Sequence, residues 1–230
     1  MQPRWLALYE QYSETEAFAP TPRSMARRAL KNAALTMLSA GTDAASRRVA
    51  RTCVQQQLGS ADNLTDRRAA LAAVVNGSLF DAAERNELLT EFYERWSEQT
   101  LVVNLWLQLQ ASASTNGAGD VQSLETHPCF DARNPNKVRS LIGAFAQHNG
   151  RNFHATDGSG YRYLADKIVS VDAANPQLAA RLALPLSKWR RFVPALAGPM
   201  RRALETVAAT QGLSKDVFEI VTKSLSEEAS

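Results

Sequence analysis

The residues of this chain that could break bonds are few. It has three histidines, His127, His148 and His154, two cysteines, Cys53 and Cys129, and one serine held between glycines, Ser159. None of the histidines opens an H-E-x-x-H pattern, which sets two zinc ligands and a general base on one helix. His127 and Cys129 are two residues apart and could share a metal, but the sequence supplies no further ligand beside them. They read as loop residues next to Pro128. Ser159 lies in Asp157-Gly158-Ser159-Gly160-Tyr161. A nucleophile elbow needs a strand-turn-helix context, and no strand precedes this segment. Asp157-Gly158 therefore reads as a turn, with Ser159 capping a helix that begins at Gly160 or Tyr161. No phosphate-binding loop is present. The residues point to no catalytic group and no metal site.

Arginine is the other candidate, with chemistry of binding rather than of bond breaking. Twenty of the 26 basic residues are Arg. They cluster as Arg27-Arg28, Arg47-Arg48-Arg51, Arg67-Arg68, Lys188-Arg190-Arg191 and Arg201-Arg202. Pairs on amphipathic helices are ordinarily solvated or ion-paired faces. The sharper expectation is that some guanidinium groups face a concave surface and bind carboxylates through their bidentate fork. The carboxylates of SETEAF and LTEFYERWSE read as solvated helix faces.

The elements that must position these groups are helical. Trp5, Leu8, Tyr9 and Tyr12 recur at helical spacing within 4–18. Thr21-Pro22 opens the next helix, with Thr as N-cap and Pro at the first position. Further helices are expected from Thr42-Asp43 to Gly59, from Asn63 or Thr65 to Gly77, from Asp81 through Trp96, and over 101–110. Ser114–Asp120, STNGAGD, looks like the most flexible loop. A short helix over 121–125 follows, then turns. The segment 137–147 carries Val138, Leu141, Ile142 and Phe145 on one face. Helices then occupy 161–171, a stretch opened by Pro176 and bent or split by Pro185, 200–210 and 214–225. Successive helix-turn-helix units without a strict repeat suggest stacked α-hairpins or an α-solenoid.

Composition agrees. The chain of 230 residues has 37 Ala and 26 Leu against 14 Val and 3 Ile, favouring helix over strand. A net charge of +3 is too small to announce a nucleic-acid protein, and no apolar run is long enough to span a membrane. Two distant cysteines suit a reducing compartment, and the N-terminus lacks the apolar run of a signal peptide, so a cytoplasmic protein is expected.

Residues 134–182 carry NPNKVRSLIGAF, then FHATDGSGY, then NPQLAARL, long motifs in unbroken succession. This stretch resembles the C-terminal domain of the bacterial aminopeptidase N family of thermolysin-like zinc peptidases. Weaker likeness continues through MARRALKNAALTML, ADNLTD and LSKDVFEIVTKSL, so it spans essentially the whole chain. The resemblance implies an all-α superhelical stack of antiparallel helix pairs, armadillo- or HEAT-like, of about a dozen helices. It implies one helical domain over 1–230, closing a chamber over a catalytic domain of the same polypeptide. That family's zinc helix and its G-A-M-E-N substrate loop lie in the catalytic domain and are absent here. No cofactor is therefore expected in this chain, and zinc only in the parent enzyme.

The resemblance further implies substrate-binding roles for Arg139, Gln177 and Arg181. The two arginines would face the chamber along the path of the peptide, and Gln177 would lie near the first specificity pocket. Gln177 and Arg181, four apart, share a helix face, which Asn175 as N-cap and Pro176 in the first turn would set. The bland alternative for Arg139 is an ion pair with a neighbour such as Asp131. The alternative for the whole chain is a free-standing α-solenoid binding a peptide or protein on its concave face. Neither nucleic acid nor membrane is expected as a partner. Apolar surface left for a missing catalytic domain would permit self-association.

Overall fold

The structure, a computed structural model, describes residues 2–13 and 18–226. All regular elements among them are helical, as composition and periodicity lead one to expect. The chain forms two compact units, Met1–Arg95 and Trp96–Ser230.

The first unit contains α1 (Gln2–Tyr12), α2 (Pro22–Ser39), α3 (Ala44–Ser60), α4 (Leu64–Asn76) and most of α5 (Ala82–Trp96). Starts follow the cap residues. The side chains of Thr21, Asp43 and Asn63 accept from the backbone N–H three residues on, satisfying donors the first turn leaves orphaned. The first helix is shorter than its spacing suggests. It stops at Tyr12, Phe18 is not helical, and 14–17 lie outside the described residues. Helix α1 packs on α2, and α2, α3 and α4 pack on one another. Their core includes Leu35, Leu38, Ala50, Val54, Ala70 and Val74, with Trp5, Leu58 and Leu88 against it. Each fully buried Leu or Val contributes about 1.5–3 kcal/mol.

A polar knot joins three of these helices. Lys31 on α2 meets Asp66 on α4 at 2.5 Å, with both side chains at most 10% exposed. Asn32 and Asn63 donate to the same carboxylate, and Gln57 on α3 donates to the Asp66 carbonyl and to Asn32. The carboxylate is thus buried with partners on every side, the condition under which a buried charge is tolerated.

The second unit contains α6 (Thr100–Ala111), α7 (Ala118–Leu124), α8 (Pro135–Val138), a π turn (Arg139–Gly143), α9 (Ala144–His148), α10 (Gly150–Phe153), α11 (Ser159–Asp172), α12 (Pro176–Ser187), a 3-10 turn (Trp189–Arg191), α13 (Pro194–Ala208) and α14 (Lys215–Leu225). Helix α11 packs on α12 and α13, and α14 on α12 and α13. Val138, Leu141, Ile142 and Phe145 are all buried, as their spacing predicts. Phe145, Phe153, Tyr161 and Tyr163 meet edge to face at centroid distances of 5.9, 5.2 and 5.6 Å, tying α9 and α10 to α11. Such pairs add about 0.5–1.5 kcal/mol each beyond their burial.

Five expectations need correction. The helix expected from 137 begins at Pro135, because Asn134 caps it by accepting from the N–H groups of Asn136 and Lys137. Helix α12 runs through Pro185 without splitting, and α13 starts at Pro194 rather than 200, running through Pro199. Each internal proline withholds one N–H, from the carbonyls of Arg181 and Ala195. Both of those residues are exposed, so water can serve the carbonyl. The segment Ser114–Asp120 is pinned rather than flexible, and its last three residues already belong to α7. Buried Asn149 shares its amide N–H groups among the carbonyls of Ala111, Ala113 and Asn116, and Asn152 donates to Ser114.

Ser159 is the fifth. It is the first residue of α11, not its cap. Asp157 accepts from both its N–H and its hydroxyl. The glycines around it have separate reasons. Gly158 sits at φ 70, in the left-handed region. At Gly160 a Cβ would fall 2.4 Å from the Phe153 carbonyl oxygen. The motif is a close approach of α11 to α10, not a nucleophile's turn.

Candidate functional site

Arg139 opens the π turn that links α8 to α9. A π turn inserts an extra residue into the helical register and is frequent at functional sites. The Arg139 side chain is exposed and donates from Nη1 to Oδ1 of Asn136 at 3.1 Å. The ion pair with Asp131 does not form. Asp131 is taken by Arg133, through Nε at 3.2 Å and the backbone N–H, which hold its carboxyl below the usual range.

Arg181 lies on α12, whose start is set as expected: the Asn175 side chain accepts from the Leu178 N–H at 3.0 Å and Pro176 takes the first position. Arg181 and Arg139 line the same cleft of about 280 Å³. Gln108 from α6 and Gln147 and His148 from α9 add polar walls, and Leu178 and Leu182 an apolar one. No Asp or Glu lines the cleft, and neither guanidinium has a carboxylate partner among the described residues. Two permanent cations beside neutral donors suit a carboxylate, which each fork can hold by paired charge-assisted bonds.

Gln177 lies one turn before Arg181, exposed, and does not line this cleft. Sequence reasoning did not single out Gln108 or Gln147, and named His148 only among the histidines that open no zinc motif. Gln147 and His148 lie between the motifs, within the stretch 134–182. Gln108 carries no local signal, since only the packing of α6 against the π turn and α9 brings it there.

The other candidates do less. His127 Nδ1 lies 3.0 Å from the Cys129 sulfur. Burial pushes the thiol up, opposed by Lys137, and pushes the imidazole down. A thiol held protonated is not an activated nucleophile. No three His, Cys, Asp or Glu gather into a group that could hold a metal ion among the described residues. The basic clusters mostly serve the fold. Arg28 donates to the Ala19 carbonyl and lies over Phe18, Arg51 clasps Glu84, Arg67 reaches the carbonyls of Leu58 and Ala61, and Arg190 caps the end of α14. Glu91 and Glu94 are exposed, as expected. No helix among the described residues is long and apolar enough to cross a membrane.

Comparison with known proteins places this arrangement in context. The family described as "Domain of unknown function (DUF3458_C) ARM repeats" matches residues 1–226. The chain is 38% identical over 221 residues to Aminopeptidase N of Escherichia coli (strain K12), covering 96% of this chain and 24% of that protein. It is 38% identical over 206 residues to Aminopeptidase N of Haemophilus influenzae, covering 89% of this chain and 23% of that protein. Among solved structures, Legionella pneumophila aminopeptidase A in complex with aspartic acid superposes with a TM-score of 0.84 at 25% identity, covering 97% of this chain and 26% of that one. The chain therefore spans about a quarter of the length of the relatives it matches.

Proposed function

This chain belongs to the DUF3458_C family of ARM-repeat domains, and on that premise we propose that it serves as the non-catalytic helical domain of a zinc-dependent aminopeptidase. Its helices close the chamber over a catalytic domain of the same polypeptide. Arg139 and Arg181 contact the peptide substrate, and Gln177 lies near the entry to the first specificity pocket. The observation that carries this reading is the pair of guanidinium groups on one cleft with no carboxylate partner among the described residues. The similarity to the aminopeptidases N supports it.

A peptide whose N-terminus lies at a zinc site extends away toward its C-terminus, where it carries a carboxylate. A guanidinium there adds about 1.5–3 kcal/mol per charged hydrogen bond. Binding remote from the scissile bond fixes the substrate's position for the chemistry. The zinc belongs to the catalytic domain. Among the described residues no three potential ligands gather into a site for it. The location we propose is the cytoplasm, consistent with two unpaired thiols, Cys53 and Cys129.

The test is the purified chain with alanine p-nitroanilide and added zinc. No hydrolysis is expected. Hydrolysis that co-purifies with the chain and disappears when its own residues are mutated would overturn the reading.

A further inference from the structure

A second cleft, of about 430 Å³, adjoins the first and shares Gln147 and His148 with it. Its wall is built of Phe153, Phe192, Leu184 and Pro185, and its polar groups include His154 and Lys188. Leu184 leaves 46% of its surface exposed, an apolar face without a cover in this unit. The His154 ring lies against Phe192, centroids 4.7 Å apart. Lys188, at the end of α12, is exposed and has no ion-pair partner among the described residues. No Asp or Glu lines this cleft either.

His154 is hydrogen-bonded to a buried tyrosine. The Tyr161 hydroxyl, fully buried, lies 2.8 Å from His154 Nδ1. Burial pushes the imidazole down and the phenol up, so both groups are uncharged, and we assign the tyrosine O–H as the donor to Nδ1. The proton of that tautomer is then on Nε2, and the polar atom His154 has left to offer is an N–H donor. The cleft thus combines an ammonium, a neutral donor and an apolar aromatic wall, the complement of an amino acid with an apolar side chain and a free carboxylate.

We propose that this second cleft binds the C-terminal residue of longer peptides, with its side chain against Leu184, Pro185 and Phe192 and its carboxylate on Lys188 and His154. The proposal rests on the peptide reading of the first cleft and extends it. A short peptide ends at Arg139 and Arg181. A longer one passes them, its carbonyls accepting from the guanidinium groups, crosses Gln147 and His148, and ends at Lys188. Charge complementarity selects this occupant, because two adjoining clefts carry three cations and no lining carboxylate.

The three histidines report on it separately in NMR spectra of the whole chain. His154 lines the second cleft alone, His148 lines both, and His127 lines neither. A tripeptide should shift the ring signals of His148 and leave His154 unmoved. A hexapeptide ending in a free Phe should shift both, and its C-terminal amide should shift His154 far less. Lys188→Met should weaken the His154 response about tenfold, the worth of one charge-assisted bond, while His148 still responds and His127 stays in place. If His148 responds and His154 does not, or if acid and amide move His154 equally, the second cleft is not this site and the first is untouched. If neither responds to any peptide, the reading of the first cleft fails, and this inference with it.

Discussion

The core cations of the first unit and the cleft cations of the second are used in opposite ways. In the first, cations are turned inward or clasped: Lys31 is buried on Asp66, Arg28 on a carbonyl and a ring, Arg51 on Glu84. In the second, Arg139, Arg181 and Lys188 stand on cleft walls with no carboxylate partner among the described residues. A charge surrounded by partners is a structural device, since removing one partner strands the other. A charge left open on a concave wall contributes little to folding and keeps its full capacity for a ligand. The contrast separates arginines that sequence clusters alone could not, because neither Arg139 nor Arg181 belongs to a cluster.

The largest effect should come from cutting the knot of the first unit. Asp66→Ala strands buried Lys31 together with the donors of Asn32 and Asn63, and should cost about 3–5 kcal/mol in chemical denaturation. The matching cut in the second unit, Arg139→Met, should change stability by less than about 0.5 kcal/mol. Equal losses for the two would erase the contrast. Next in size is Gly160→Ala. Its Cβ would collide with the Phe153 backbone at 2.4 Å, and forcing α11 from α10 should cost about 1–3 kcal/mol, read as a lowered midpoint. An unchanged midpoint would show that α10 can shift freely.

The smallest effect separates the units by pH. Burial depresses the imidazoles of His127 and His154 below the ordinary value of 6.5. The unfolded chain therefore takes up more protons just below that value. Stability from these groups is full above pH 6.5 and declines as pH falls from there toward their folded values. In the first unit, bonds from Arg51 hold Glu84 down to about 2 against an ordinary 4.5. Its contribution is present above pH 4.5 and fades as pH falls toward about 2. Hydrogen exchange on lowering pH should thus loosen the second unit first. Loosening of the first unit above pH 4.5, with the second intact, would reverse the assignment.

Much of the fold was legible because the signals are local. Thr21-Pro22, Asp43, Asn63 and Asn175-Pro176 mark helix starts by capping chemistry that needs only neighbouring residues. The start at Pro135 carried the same Asn-Pro signal and lay hidden in a turn-rich stretch. What failed was tertiary. STNGAGD has a loop's composition, but Asn149, far along the chain, supplies the bonds that fix it. Pro185 reads as a bend or a split and the next helix as starting at 200, yet the carbonyls that Pro185 and Pro199 orphan belong to exposed residues. Of the site, Arg139 and Arg181 came from the motifs. Their meeting on one cleft, the contribution of Gln108 and the position of Gln177 outside it depend on how α6, the π turn and α12 pack, which no spacing encodes.

The central claim is that Arg139 and Arg181 form a carboxylate-binding cleft for peptide. Calorimetric titration of the whole chain with a tripeptide, as free acid and as C-terminal amide, tests it most directly, repeated with the Arg139→Met, Arg181→Met double variant. The account predicts that the free acid binds, that amidation weakens binding about tenfold or more, and that the double variant loses that preference while its unfolding midpoint is unchanged. Equal binding of acid and amide to the natural chain, or an undiminished preference in the double variant, would contradict it.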